Sequence, residues 1–425
     1  MTDPIATDWL HRHEEAEAAA ASLRSTVAIR QRCGQLLERA RRGESAWFEV
    51  VDDKIEGVAR EVADLTHRRF GRRVPFHSRW RHFEAGGVDR RAQLEERMHA
   101  HTKLQRAHTL IDLTVVSVLL DAGAGEHWKY VEPATGQTFT RSEGLAVASY
   151  HAFCAGLFSS DKDRPLQADS EALRALATDQ LAEAFQVSEA NPLIGLDSRA
   201  ILMRRLGEVM RERPDTFGPE VQRPSGIFDM ILGIGGPDVP PTADVSAHDI
   251  LSHVLMGLSG IWPAPNTLGA VPLGDCWRHS AVRGPGLTDG WVPFHKLSQW
   301  MAYSLLEPFE WCGVKVHDVH LLTALPEYRN GGLMIDSGLL RLRDEETAHQ
   351  TWQAGDEIIV EWRALTVALM DEVADAVRKQ LDLDERKLPL AKVLEGGSWA
   401  AGRALAQRHR NGLPPLTVIS DGTVF

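Results

Sequence analysis

The chain has no CxxC pair, no apolar leader core, no run long enough to cross a bilayer and no glycine-rich nucleotide loop, and each absence removes a class of function. Cys33, Cys154, Cys276 and Cys312 stand far apart, which fits free thiols in a reducing compartment. The opening MTDPIATDWLHRHEEAE carries charge where a secretory signal needs an apolar core, so the expected location is cytoplasmic. Leu113 to Leu120, the longest strongly apolar run, is closed by Asp112 and Asp121 and is far short of the roughly 20 residues a spanning helix needs, so no membrane partner is expected. Neither GxGxxG nor GxxxxGK[ST] occurs, which disfavours P-loop nucleotide hydrolysis. Basic surface is scarce as well: a formal net charge of −12 argues against nucleic acid as a partner.

What is present suits a large globular protein. With 425 residues, 43% of them hydrophobic, the chain can bury a substantial core. Helical periodicity runs through residues 8 to 66, resumes near Ala92 and Ser142, and returns at about 170 to 185, 197 to 212, 246 to 260, 364 to 381 and 399 to 409. Strand patterns cluster late, at about 314 to 324, 332 to 342 and 358 to 361, with a hairpin expected in WKYVEPATGQTFT and a strand and glycine turn in PPLTVISDGTVF. The expected fold is mostly α (α+β), a large helical protein with a small mixed β-sheet in the C-terminal half. Residues 1–260 read as a predominantly helical region, and 261–425 as an α+β region that carries most of the candidate site and packs with the first as one unit.

Chemistry concentrates in LPEYRNGGLMID, read as a turn beside a strand, and in Glu361-Trp362-Arg363. Glu327, Asp336, Glu361 and His295 are the candidate catalytic residues, because carboxylates gathered at element ends can have their pKa values pushed apart into acid and base roles. The competing role is structural, as salt bridges to Arg329, Arg341 or Arg363 for the acids and a carbonyl bond for His295. Tyr328, Arg329, Asn330, Arg363, Gln299 and Trp300 are candidate substrate-binding residues: an Asn amide and an Arg fork match a planar polar ring edge, and Trp300 or Tyr328 can cover its face. His295, Gln299, Tyr303 and Glu307 recur on one helical stripe, although His295 and Glu307 would lie about 18 Å apart along it.

Asp275 and His279, four apart in GDCWRH, would with His295 make a three-ligand set for a divalent metal such as zinc if that segment were helical. No HExxH motif supports it, and Asp249 with His253 and His317 with His320 compete as pairs. Cys276 beside His279 is a weaker candidate nucleophile, since a buried inert thiol is the commoner case. In HSRWRHF, taken as extended, Arg79 and Arg81 share one edge and form a candidate anion-binding fork for a phosphate or carboxylate; pairing with acids is the alternative.

LTALPEYRNGGLMID, EWRALTV, FHKLSQW, PFHSRWRHFE, SVLLDAGAG and SDGTVF together resemble the uracil-catabolism (URC) protein family of fungi and bacteria, formerly a domain of unknown function, over nearly the whole chain. The resemblance implies a pyrimidine-degrading route that neither reduces the ring nor uses a flavin oxygenase, with a small pyrimidine as the partner molecule. It implies in turn a hydrolase that opens uracil at an amide C–N bond. A hydrolase or N-glycosidase acting on a ribosylurea-type or uracil nucleotide intermediate is the rival, and a non-catalytic ligand-binding regulator is the alternative of another class.

Overall fold

The computed structural model describes residues 4–236, 238–240, 242–262 and 266–419. The SDGTVF motif and the glycine turn expected there lie outside the described residues. Helices dominate, and the described strands are short and paired two by two, so the protein is mostly α with some β. Instead of one late mixed sheet, the described residues form six separate pairs, some of them early in the chain, such as Phe48–Val50 with Leu340–Leu342 and the expected hairpin of Lys129–Val131 with Thr138–Thr140. Both parallel and antiparallel pairs occur. No helix among the described residues is long and apolar enough to cross a membrane.

The chain divides into two compact units that interleave along the sequence. The first comprises Met1–His77, Ala264–Gln299 and Asp318–Ile419, so it draws on both halves of the sequence. Its axis is the helix Glu357–Leu381, against which Thr26–Arg41 and Ile55–Phe70 pack. Ile29, Cys33, Leu36, Val292, Phe294, Val360, Ala364 and Val367 make one of its cores. The second unit, within Ser78–Pro263 and Trp300–His317, contains Lys103–Leu119, Arg141–Cys154 and Leu196–Glu212. Lys103–Leu119 begins at a full capping box, in which Thr102 accepts from the Gln105 amide and Gln105 reaches back to the Thr102 N–H.

Three local expectations are corrected. Residues 358 to 361 are the buried start of the helix Glu357–Leu381, because that helix is buried on all sides there and the short apolar run Ile358 to Val360 carries no period to separate strand from helix. LPEYRNGG is no turn: Tyr328–Asp336 is helical, and its Gly-Gly pair serves packing, since a Cβ on Gly331 would run into the Trp362 indole. HSRWRHF is not extended either, because Ser78 caps a short helix, Arg79–Phe83, and accepts from the Trp80 amide.

Candidate functional site

In the first unit, two buried carboxylates stand just before the strand Cys276–Arg278 and on the opening turns of Glu357–Leu381. Asp275 is held by both guanidinium nitrogens of Arg363, at 2.8 and 2.7 Å. It also accepts from the Trp277 indole at 2.8 Å and the Lys296 amide at 2.9 Å. Burial alone would raise its pKa, but the Arg363 charge and these hydrogen bonds hold it down at about 2. Asp275 is therefore ionised and coordinatively full.

Glu361, fully buried, is arranged differently. One oxygen, Oε2, lies 3.1 Å from His279 Nε2 and 3.4 Å from Arg39 Nη1. His279 Nδ1 accepts the Ala281 amide at 3.1 Å, which places the ring proton on Nε2 and makes the imidazole a donor to Glu361. The other oxygen, Oε1, has no hydrogen-bond partner among the described residues. A buried carboxylate oxygen in that state is costly to keep and is a frequent mark of a reacting group.

His295 sits at the same strand end, donating its backbone N–H to Asp275 O at 3.0 Å, in a left-handed conformation with φ of 47° that a side chain adopts only under constraint. Its Nε2 lies 3.2 Å from Leu23 O. Burial lowers its pKa to about 4, so the ring is neutral at pH 7. Asp275 and His295 are in backbone contact, but His279 lies at the far end of the strand Cys276–Arg278, about 13 Å along an extended chain from Asp275, and all three face separate partners; the segment is not the helix that a four-residue ligand step required. They do not fit a divalent ion as they stand, and among the described residues no group of three or more His, Cys, Asp or Glu could hold one. Cys276 is buried, and burial pushes its thiol well above the ordinary range, which is the inert state.

The helix Tyr328–Asp336 carries the second set. Glu327 caps it, accepting the Arg329 and Asn330 amides at 2.7 Å each, while burial raises its pKa against these bonds. Asp336, eight positions beyond Tyr328 and thus about 12 Å along the axis, is bound by both nitrogens of Arg410 at 2.7 and 2.6 Å. Asn330 is engaged with Leu325 O and Ser398 Oγ. Gln299 braces Thr323 through its side chain and accepts the Thr323 amide at 3.2 Å. Arg329 stands apart. It is 3% exposed, lies over the Tyr328 ring at 4.8 Å and the Trp399 ring at 5.5 Å, and its Nε and Nη1 have no acceptor among the described residues.

Trp362 Nε1 donates to Gly331 O at 3.1 Å, and Arg363 Nε reaches Pro326 O at 3.4 Å, so the helices bearing Glu361 and Arg329 are locked side by side. The remaining expected residues fall in the second unit. Trp300 lies there against His82, at 5.7 Å between rings. Arg79 bonds Asp121 at 2.9 Å and Ser117 at 2.7 Å, and Arg81 bonds Glu307 at 2.8 Å, so the helical turn separates them and the fork does not form. Sequence reasoning missed Arg39, Trp399 and Ser398; the Gly-Gly of LEGGSWAAG, which forms a π-turn at Leu394–Ser398, was the available signal.

Comparison with known proteins agrees over nearly the full length. "Protein urg3" of Schizosaccharomyces pombe is 38% identical over 416 residues, 95% of this chain and 98% of that protein. "Uracil catabolism protein 4" of Lachancea kluyveri is 36% identical over 434 residues, covering 95% and 98%. Residues 22–425 match the family described as "Protein of unknown function (DUF1688)", and this chain belongs to it.

Proposed function

We propose that the protein acts in uracil catabolism as a hydrolase that opens the pyrimidine ring at an amide C–N bond, with Glu361 as the base. The name of the Lachancea kluyveri relative supports the pathway. The observation that carries the chemistry is the half-filled Glu361 carboxylate, oriented by His279 and Arg39 through one oxygen and vacant at the other. A ring amide presents a carbonyl acceptor next to an N–H donor. The vacant Glu361 oxygen supplies the acceptor for that N–H.

In this reading Glu361 takes a proton from water as the water oxygen attacks the ring carbonyl carbon, and Arg39, 3.4 Å from the engaged Glu361 oxygen, is the cation beside the oxyanion that develops. The C–N bond then breaks, and the proton held by Glu361 passes to the departing nitrogen, leaving an open-chain ureido acid. A divalent ion at Asp275, His279 and His295 would require Arg363 to release Asp275, so no step is routed through one. The free base is favoured over a phosphorylated substrate because Arg79 and Arg81 are bound by acids and offer no fork.

Purified protein incubated with uracil should remove the absorbance of the conjugated ring, and Glu361→Gln should slow this about 100-fold or more. Turnover of ribosylurea with none of uracil would move the reaction to the N-glycosidic rival. Saturable uracil binding without turnover would leave a regulator.

A further inference from the structure

A cavity of about 200 Å³ lies wholly within the second unit, where the turn after Arg90–Arg97 meets the start of Lys103–Leu119 and the end of Lys296–Trp311. It is smaller than the about 300–1,000 Å³ typical for a drug-sized ligand, which suits a small one. Its ionised lining comprises Arg91, Lys103 and Arg106 against the single carboxylate of Glu95. Arg91 is tied to Glu95 at 2.8 Å and lies flat on Trp311 at 3.6 Å, so that pair is fixed and neutral. The charges of Lys103 and Arg106 are left without an opposing group in the cavity.

Two polar atoms in the lining are also buried without a partner: Arg106 Nε and His101 Nδ1. Among the described residues, Arg106 touches a protein acceptor through Nη2 alone, at 3.4 Å from His99 O. A buried polar atom without a partner destabilises a fold, and an arginine N–H and a histidine ring nitrogen in one small cavity indicate a polar ligand that brings an acceptor for the arginine. Burial and the nearby Arg106 charge favour neutral His101, a form that can carry its proton on Nδ1 and donate it. Lys103 opens a helix of 17 residues, whose N-terminal end adds to the positive field.

We propose that this cavity binds a phosphate group, either inorganic phosphate or the head of a small phosphomonoester, through Arg106, His101 and Lys103. A phosphomonoester dianion brings only acceptors and inorganic phosphate brings acceptors with a single O–H, and a charge of about −1.5 to −2 at pH 7 balances the two unopposed cations. A carboxylate would balance half of that charge, and a neutral pyrimidine none. The inference does not rest on the proposed ring-opening reaction, because every residue in it belongs to the second unit and Glu361 belongs to the first.

Calorimetric titration of the full chain at low ionic strength, with inorganic phosphate, ribose 5-phosphate, acetate and ribose, tests it. Phosphate or ribose 5-phosphate should bind one to one, acetate about tenfold more weakly and ribose not at all. Equal affinity for the first two would assign the phosphate alone, and tighter ribose 5-phosphate would assign a phosphomonoester. Arg106→Gln and the exposed Lys103→Gln should each weaken binding about tenfold with the melting temperature unchanged, whereas Glu361→Gln should leave it intact. No saturable binding of either phosphate up to about 10 mM, equal binding of acetate, or indifference to Lys103→Gln in a folded protein would overturn the proposal.

Discussion

Asp275 and Glu361 are both buried acids of the first unit, and they meet opposite fates. Asp275 has a bidentate arginine, an indole N–H and a backbone amide, and nothing further can bind to it without displacing one of them. Glu361 has one oxygen engaged and one vacant. The same contrast recurs on Tyr328–Asp336, where Glu327, Asn330 and Asp336 are engaged by the protein and Arg329 retains open donors. Saturation holds the fold together, and vacancy leaves room for chemistry.

The sharpest way to break this comparison is Asp275→Ala. It leaves Arg363 charged, buried and without its carboxylate, so the loss should be about 3–5 kcal/mol in urea unfolding. A loss below 1 kcal/mol would show that Asp275 is no structural acid.

Acid should separate His295 from Asp275. His295 has a folded pKa of about 4 against an ordinary 6.5, so the unfolded chain binds the proton first and stability falls as pH drops from 6.5 to 4, by on the order of 3 kcal/mol. Asp275 has a folded pKa of about 2 against 3.8, so its contribution is present above about 3.8 and disappears as pH falls toward 2. His295→Gln should abolish the upper window alone. An unchanged slope between pH 6.5 and 4 in that variant would assign the effect to another group.

Glu361→Gln addresses the other side of the comparison. Turnover should fall about 100-fold, equivalent to about 2.7 kcal/mol in the barrier, while the unfolding midpoint stays near that of the parent. Equal losses of stability in Glu361→Gln and Asp275→Ala, with turnover retained in the first, would erase the distinction between the two acids. The smallest effect belongs to Glu327→Ala, which removes a helix cap and should cost about 1 kcal/mol in thermal unfolding, with turnover still measurable. A complete loss of turnover in a folded Glu327→Ala protein would return that residue to the reaction.

The helices were legible where polar and apolar residues alternate with a clear period, as at Leu196–Glu212 and Trp399–Arg410. They were not legible where burial is complete on every side, which is why EIIVEW suggested a strand. LPEYRNGGLMID was correctly singled out as dense in polar groups, but its glycines suggested a turn because what they pack against, Trp362, is 31 residues away from Gly331. The Asp275–Arg363 pair spans 88 positions, and no local pattern encodes such a partnership. Residue type marks which groups can be occupied; only the fold shows which of them are. His101 and Arg106 escaped notice for that reason, since a basic stretch at a helix start looks like solvated surface until the cavity beside it is seen.

Two glycines bear on heredity. A Cβ on Gly402 would collide with the Arg329 backbone carbonyl, and one on Gly331 would collide with Trp362. Glycine and alanine codons differ by one base, and alanine is among the mildest replacements on any helix surface. At these two sites it would push the Arg329-bearing helix away from its neighbours. Loss-of-function alleles should therefore include Gly→Ala changes at 331 and 402 that touch no charged group and that a chemical similarity table would score as harmless.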